Sequence, residues 1–402
     1  MFSPKGHRSS GSTVQVISVA LPIIARRVRF SLLRIIASPR SPFYRPSVVK
    51  LLLPRDFNED AYTYLHADVR DSSMTASQHY LLHGYAERRN YCQVFSETPL
   101  LVNPIAGLNL TAYHVAQRLS EDDSPLSHYL LAGEPTGPWT APVIRADSSS
   151  EVSGICHAVV HFHCFHLELL AEFLEFAQDI IAASTKTLVI SYSDPIIGRQ
   201  ISRSLHEIPD NFRVVRVNNH GRNFGALAQL LELDEFAQFD VWAHFHSKLS
   251  QHLPGPLVRE WRKFIYRSLL GNAPGKASFD DILGEFFRLQ DLGIVYPDDP
   301  HEFGWGENLG IGQQMARAMG FDFDKSPPKF PVGGMFVARR SFLTELFNGV
   351  APFTNPVTEP LPHDGTPWHA FERLLGVAPP HLGFRAAGVR ADAEQYTWLR
   401  SS

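Results

Sequence analysis

Cysteine is almost absent. Cys92, Cys156 and Cys164 are the only three in the chain, and no CxxC spacing occurs. That argues against a disulfide framework and a cysteine-built zinc site, and leaves free thiols. Cys164 lies in an apolar strand end, where burial is expected rather than reactivity. No uninterrupted apolar run approaches the roughly 18 residues a membrane-spanning helix needs. The nearest stretch, Val14 to Ile36, is broken by Pro22 and by Arg26, Arg27, Arg29 and Arg34. Its arginines follow the apolar part rather than precede it, which argues against a signal peptide. A net charge of −4 gives no reason to expect nucleic acid as a partner.

Acidic residues are missing from positions 1–50, where Lys5, Arg8, Arg26, Arg27, Arg29, Arg34, Arg40, Arg45 and Lys50 stand. The 37 basic residues less those nine leave 28 against 41 acidic, a balance of −13 for the remainder. A basic, apolar, acid-free segment suits either peripheral contact with an anionic membrane surface through residues 14–50 or a disordered extension. Both readings stand open. The expected setting is the cytoplasm, beside the inner face of the cytoplasmic membrane on the first reading.

Residues 51–140 hold a diverged repeat. Phe57-Asn58-Glu59-Asp60-Ala61-Tyr62 followed by Gln78-His79-Tyr80-Leu81-Leu82-His83-Gly84 parallels Leu108-Asn109-Leu110-Thr111-Ala112-Tyr113 followed by Ser127-His128-Tyr129-Leu130-Leu131-Ala132-Gly133. The tyrosines are offset by 51 residues and the histidines by 49. Each copy has a polar cap before an apolar run and a glycine after one, the pattern of short helices. The His-Tyr pairs are expected to be half-buried packing with a polar tip rather than catalytic groups.

Asp147-Ser148-Ser149-Ser150 marks a linker over 141–153. Apolar runs then alternate with helical patterns: strands are predicted over 155–162, 187–192, 212–217, 239–245, 292–296 and 334–338. Helices fall over 167–181, 196–205, 224–236, 257–270 and 341–347. Strands without clean alternation, separated by helices, predict an α/β domain over 154–402 with a mostly parallel sheet covered on both faces. In the helix over 257–270, Trp261, Phe264, Ile265 and Leu269 share one face, with Arg259, Arg262 and Arg267 elsewhere. Glycines and Asn308 suggest a mobile loop over 298–308.

Chemistry gathers at two places. Asn218-Asn219-His220-Gly221-Arg222-Asn223-Phe224-Gly225 joins a strand to a helix, where an open α/β sheet builds its ligand site. Gly221 permits close backbone approach, Asn223 is a candidate helix cap, and Arg222 offers a bidentate guanidinium to a phosphate. His244, His246 and Lys248 share one face at the next strand's end; Ser247 stands between, and Lys248 suits a diphosphate as a fixed cation. The paired histidines fit a metal or, preferably, hydrogen-bonded structure, as do His161 and His163. Downstream, Glu359, His363, Asp364, His369, Glu372 and Arg373 form an acid–base cluster able to make a hydroxyl nucleophilic. There, helix capping by Asp364 or Thr366 and an exposed Glu372-Arg373 pair are the plain alternatives.

Several motifs together resemble the rhamnan-synthesis F family of bacterial polysaccharide proteins. They are Asn219-His220-Gly221-Arg222-Asn223, Phe239-Asp240 leading to His246-Ser247-Lys248, and Trp261-Arg262. Gly293-Ile294-Val295-Tyr296-Pro297, Gly333-Gly334-Met335-Phe336-Val337-Ala338-Arg339, Asp364-Gly365-Thr366 and His369-Ala370-Phe371-Glu372-Arg373-Leu374 continue the series. The resemblance implies a GT-A-like, Rossmann-like fold behind a small all-α repeat module, and transfer of a sugar, rhamnose among the candidates, from a nucleotide-sugar donor to a glycan or lipid-linked glycan. Asn219, Gly221, Arg222, Asn223, His246, Ser247, Lys248, His369 and Arg373 would then bind substrate. Asp364 would be the base, with Glu359 and Glu372 next. The family usually has Asp where Asn223 stands and Thr where Ser247 stands. His246-Ser247-Lys248 occupies the place of a metal-binding Asp-x-Asp, so a divalent metal is expected to be dispensable and no cofactor is otherwise implied. A protein that kept the fold and lost the chemistry, serving as a binding or scaffold component, is the alternative.

Overall fold

The computed structural model describes residues 53, 57, 59, 62–63, 66–70, 72–84, 87, 89, 105–119, 125, 128–129, 132–144, 157–178, 186–204, 210–247, 255–271, 279–299, 304–323, 325–354, 362 and 364–390. The basic segment 1–50, Cys92, Cys156, Lys248, Glu359 and His363 lie outside the described residues. Contacts divide the chain into two compact units, one holding the described residues 53–89 and the other those from 105 to 390.

In the first unit, α1 (Ala67–Arg70), α2 (Ala76–His79) and a π-helical turn, Tyr80–Gly84, surround Tyr62. Thr75 and Gln78 form a reciprocal capping box at the start of α2. Tyr62 is fully buried; its hydroxyl meets His79 Nδ1 at 3.0 Å and its ring stands edge-on to Tyr80. The second copy, in the larger unit, repeats this geometry. Asn109 caps α3 (Leu110–Ala116), the Tyr113 hydroxyl meets His128 Nδ1 at 2.8 Å, and Tyr113 is edge-on to Tyr129. His79-Tyr80 and His128-Tyr129 are therefore packing elements, with each histidine's polar tip met by the tyrosine of the preceding run.

The larger unit is an eight-stranded sheet: β1 (Val143–Ile144), β2 (Ala158–His163), β3 (Lys186–Tyr192), β4 (Phe212–Arg216), β5 (Val241–His246), β6 (Leu292–Pro297), β7 (Phe336–Arg339) and β8 (Arg385–Val389). Their order is β1-β8-β6-β7-β5-β2-β3-β4, and every pairing is parallel except those of β7. Strands β2 and β6 are buried at every position, which explains why neither alternates apolar with exposed polar residues. The edge strand β1 falls inside the stretch read as a linker. Because β7 runs backwards, its entry loop Gly333-Gly334 lies at the same edge as the carboxyl ends of β2, β5 and β6.

Apolar cores fill both faces. One gathers Phe162, Phe173, Phe245, Tyr266 and Phe279; the other gathers Leu227, Trp242, Phe336, Phe342 and Phe371. Each such aromatic stabilises the fold by about 1.5–3 kcal/mol when fully buried. In the helix Gly255–Leu270, Trp261, Phe264, Ile265 and Leu269 are buried as the amphipathic pattern predicts. Arg262, expected off that face, is buried too, because Glu172 takes its guanidinium at 3.0 and 3.1 Å. The expected mobile loop is corrected in part: Asp298, Asp299 and Asn308 are buried, and Gly306–Asn308 forms a 3-10 turn. Cys164 is buried as expected, and burial pushes its thiol up to about 12.

Candidate functional site

The turn after β4 is built by two residues with positive φ: Gly221 at 74° caps the helix Arg222–Leu231, and Arg222 itself sits at 54°. Left-handed backbone is ordinary for glycine and costly for arginine, on the order of 1–2 kcal/mol. A Cβ on Gly221 would stand 2.5 Å from the Trp368 ring. Gly221→Ala should therefore destabilise the protein by about 2–4 kcal/mol through strained backbone and overpacking, to be read from urea unfolding; an unchanged midpoint would show that the turn can move off Trp368. Asn223 is not the cap. It lies inside the helix, and its amide nitrogen reaches His244 Nε2 at 3.2 Å.

Beneath this turn the histidines join in a chain. His161 and His244 pair in register, as do His163 and His246, all on the face that carries Trp242. His244 Nδ1 meets His161 Nδ1 at 3.0 Å, and the Ser191 hydroxyl lies 2.8 Å from both His161 Nε2 and His163 Nδ1. Burial pushes His161 and His244 well below the ordinary imidazole range and His163 to about 4. These rings are neutral, satisfied structure, the preferred sequence reading. His246 Nε2–H donates to Gly333 O at 2.8 Å. Among the described residues no group of three His, Cys, Asp or Glu side chains is disposed to hold a metal.

The second cluster meets the first. Arg222 donates from Nη1 to His369 Nε2 at 2.9 Å and from Nη2 to Pro362 O at 2.7 Å. Thr366 caps the helix Pro367–Val377 and its hydroxyl contacts His369 Nδ1 at 2.8 Å. Asp364 is half-buried, takes an N–H from Asn308 at 2.7 Å, and lies 3.8 Å from His369 Nδ1. Burial would raise its carboxyl, but the Asn308 bond, the Gly365 amide, Arg373 and His369 together hold it below the usual range. It is thus ionised near neutrality. In the sequence Asn308 stands out only as a loop marker; its bond to Asp364 spans 56 residues.

Other sequence candidates hold the site together. Glu372 accepts the Gly333 amide at 3.0 Å and lies 3.7 Å from Arg373, so the pair is not an exposed one. Gly333 is thereby clamped from both sides, its carbonyl by His246 and its amide by Glu372. Arg373 also donates to Gly304 O and His369 O and lies 5.2 Å over the Phe330 ring. The Ser247 hydroxyl is engaged internally. It accepts the amides of Phe165 and His166, each at 2.8 Å, and lies 3.3 Å from His163 O. A threonine would supply the same hydroxyl. Asn219 is exposed on the turn. Lys248 and Glu359 lie outside the described residues.

Among curated proteins, two are similar, both called "Uncharacterized protein WxcX" and both from strains of Xanthomonas campestris pv. campestris. Each is 27% identical over 238 residues, covering 58% of this chain and 32% of the relative, so the chain spans about a third of their length. The motifs at the sheet edge fall within a longer match, because the family model described as "Rhamnan synthesis protein F" covers residues 115–381. On that match, which runs from α3 to the approach to β8, the chain belongs to the rhamnan synthesis protein F family and so to polysaccharide biosynthesis.

Proposed function

We propose that the protein is a glycosyltransferase that extends a cell-surface polysaccharide from a nucleotide-sugar donor, with a deoxyhexose such as rhamnose the favoured sugar. The observation that carries this reading is the meeting of Arg222 with His369 beside Asp364, 147 residues apart in sequence. The sheet order, with one antiparallel strand between β5 and β6, supports a GT-A arrangement. Arg222, the amides of its turn, and Lys248 counter the diphosphate charge. Asp364 takes the proton of the acceptor hydroxyl; that oxygen bonds to the sugar's anomeric carbon, and the bond to the diphosphate oxygen breaks. The leaving nucleoside diphosphate keeps the electron pair, and fixed cations stabilise it.

The donor set after β5 suits hydrogen bonding better than a divalent cation: His246 gives its N–H to Gly333, and Ser247 is saturated. Calorimetric titration with uridine, thymidine and guanosine diphosphates and their sugars tests the reading. One of them should bind, and Arg222→Ala should weaken it by about 10–100-fold, the worth of a charge-assisted hydrogen-bonded pair. No binding by any of them would discard the enzyme. Asn223 in place of a carboxylate favours the second reading, a glycan- or nucleotide-sugar-binding component without turnover.

A further inference from the structure

The chain from half-buried Asn223 through buried His244, His161, Ser191 and His163 has a direction. A neutral imidazole carries one N–H and one bare nitrogen. An amide nitrogen can only donate, so Asn223 leaves His244 Nε2 bare and places that ring's proton on Nδ1. His244 Nδ1 faces His161 Nδ1 at 3.0 Å, where two N–H groups would repel, so His161 carries its proton on Nε2. That N–H donates to the Ser191 hydroxyl at 2.8 Å, which in turn donates to His163 Nδ1 at 2.8 Å. His163 is left with its proton on Nε2.

We infer that residue 223 is a positioning residue that sets, through these four hydrogen bonds across β5, β2 and β3, which nitrogen of His163 bears the proton. With a carboxamide at 223, the histidine that ends β2 is a donor at Nε2. With a carboxylate there, all four bonds reverse: His244 holds its proton on Nε2, His161 on Nδ1, the Ser191 hydroxyl turns to His161, and His163 donates from Nδ1. Its Nε2 then becomes an acceptor. A carboxylate at position 223 would thus do more than add a charge. It inverts the hydrogen-bonding sense of the last residue of β2, at the sheet edge where the two clusters meet. Ser191 is the joint, because its hydroxyl accepts from one histidine and donates to the other, and turning the O–H exchanges the two roles.

Neutron diffraction from deuterium-exchanged crystals of the full chain reads this directly. Wild type should show deuterium on His244 Nδ1, His161 Nε2 and His163 Nε2, and Asn223→Asp should show it on His244 Nε2, His161 Nδ1 and His163 Nδ1. Deuterium on His163 Nδ1 in wild type, or an unchanged His163 in Asn223→Asp, overturns the inference. A second arm covers failure of that variant to fold or crystallise. In histidine-15N-labelled protein, Ser191→Ala should shift the His163 ring nitrogens toward a tautomer mixture and leave those of His244 in place. An unmoved His163 would show that Ser191 transmits nothing. Neither arm depends on sugar transfer, so both stand apart from the catalytic reading.

Discussion

Replacing Asp364 with asparagine should lower sugar transfer by roughly 10²–10⁴-fold, the usual contribution of a positioned base, while nucleoside diphosphate affinity stays nearly unchanged. The two side chains have the same shape, and Asn308 donates to Asp364 Oδ1, a bond that a carboxamide oxygen also accepts. What disappears is the ability to take a proton. The surroundings keep the Asp364 carboxyl below its ordinary value despite partial burial, so it is ready as a base at neutral pH without a preceding ionisation. A lowered carboxyl is a weaker base than one tuned near neutrality. A transfer assay beside calorimetric titration of the nucleotide separates the outcomes. Full turnover in the variant would remove Asp364 from the chemistry. A parallel loss of nucleotide affinity would make it a binding or folding residue instead.

Local pattern revealed the strands and helices well because burial on both faces writes itself as unbroken apolar runs. β3 and β6 were expected within a residue or two of where they lie, and the helix Gly255–Leu270 within two. β8 was not legible, since Arg385-Ala386-Ala387-Gly388-Val389 is short, small and partly exposed. The reversal of β7 was hidden because an apolar run carries no direction. Of the site, the two polar clusters were visible as residue types where apolar elements should end. Their meeting through Arg222 and His369 was not, since a contact across 147 residues leaves no local mark. Asn223 looked like a cap for the same reason. Only the fold shows that Gly221 opens the helix and that the carboxamide points to His244, in the space that Gly334 leaves; a Cβ there would lie 3.2 Å from the Asn223 amide nitrogen.

Asp298→Ala should have the largest effect on stability, about 3–5 kcal/mol, the cost of breaking a buried ion pair by removing one partner. Asp298 is 2% exposed and holds three segments at once. Its Oδ2 takes the Gly107 amide and Arg390 Nη2, both at 2.8 Å, and its Oδ1 meets Lys329 Nζ at 3.3 Å. Gly388 in β8 makes room for it, since a Cβ there would stand 3.0 Å from the Asp298 Cβ. Burial alone would raise this carboxyl, but Arg390 and Lys329 more than offset it and hold it below the ordinary value. The sign of the pH dependence follows: the stabilisation is complete above the unfolded carboxyl value of about 3.9 and fades as pH falls through the lower folded value. Urea unfolding should therefore show a wide gap between wild type and variant at pH 7, closing as the solution is acidified past that range. A gap under about 1 kcal/mol at pH 7 would place the change among ordinary surface-like substitutions and mean that water replaces the carboxylate. A gap independent of pH would mean that packing, not charge, binds the second repeat copy to the sheet. If both expectations hold, the turn at Gly107, the Lys329 loop and the end of β8 are joined by one ionised carboxylate, and acid should loosen that join before the apolar cores.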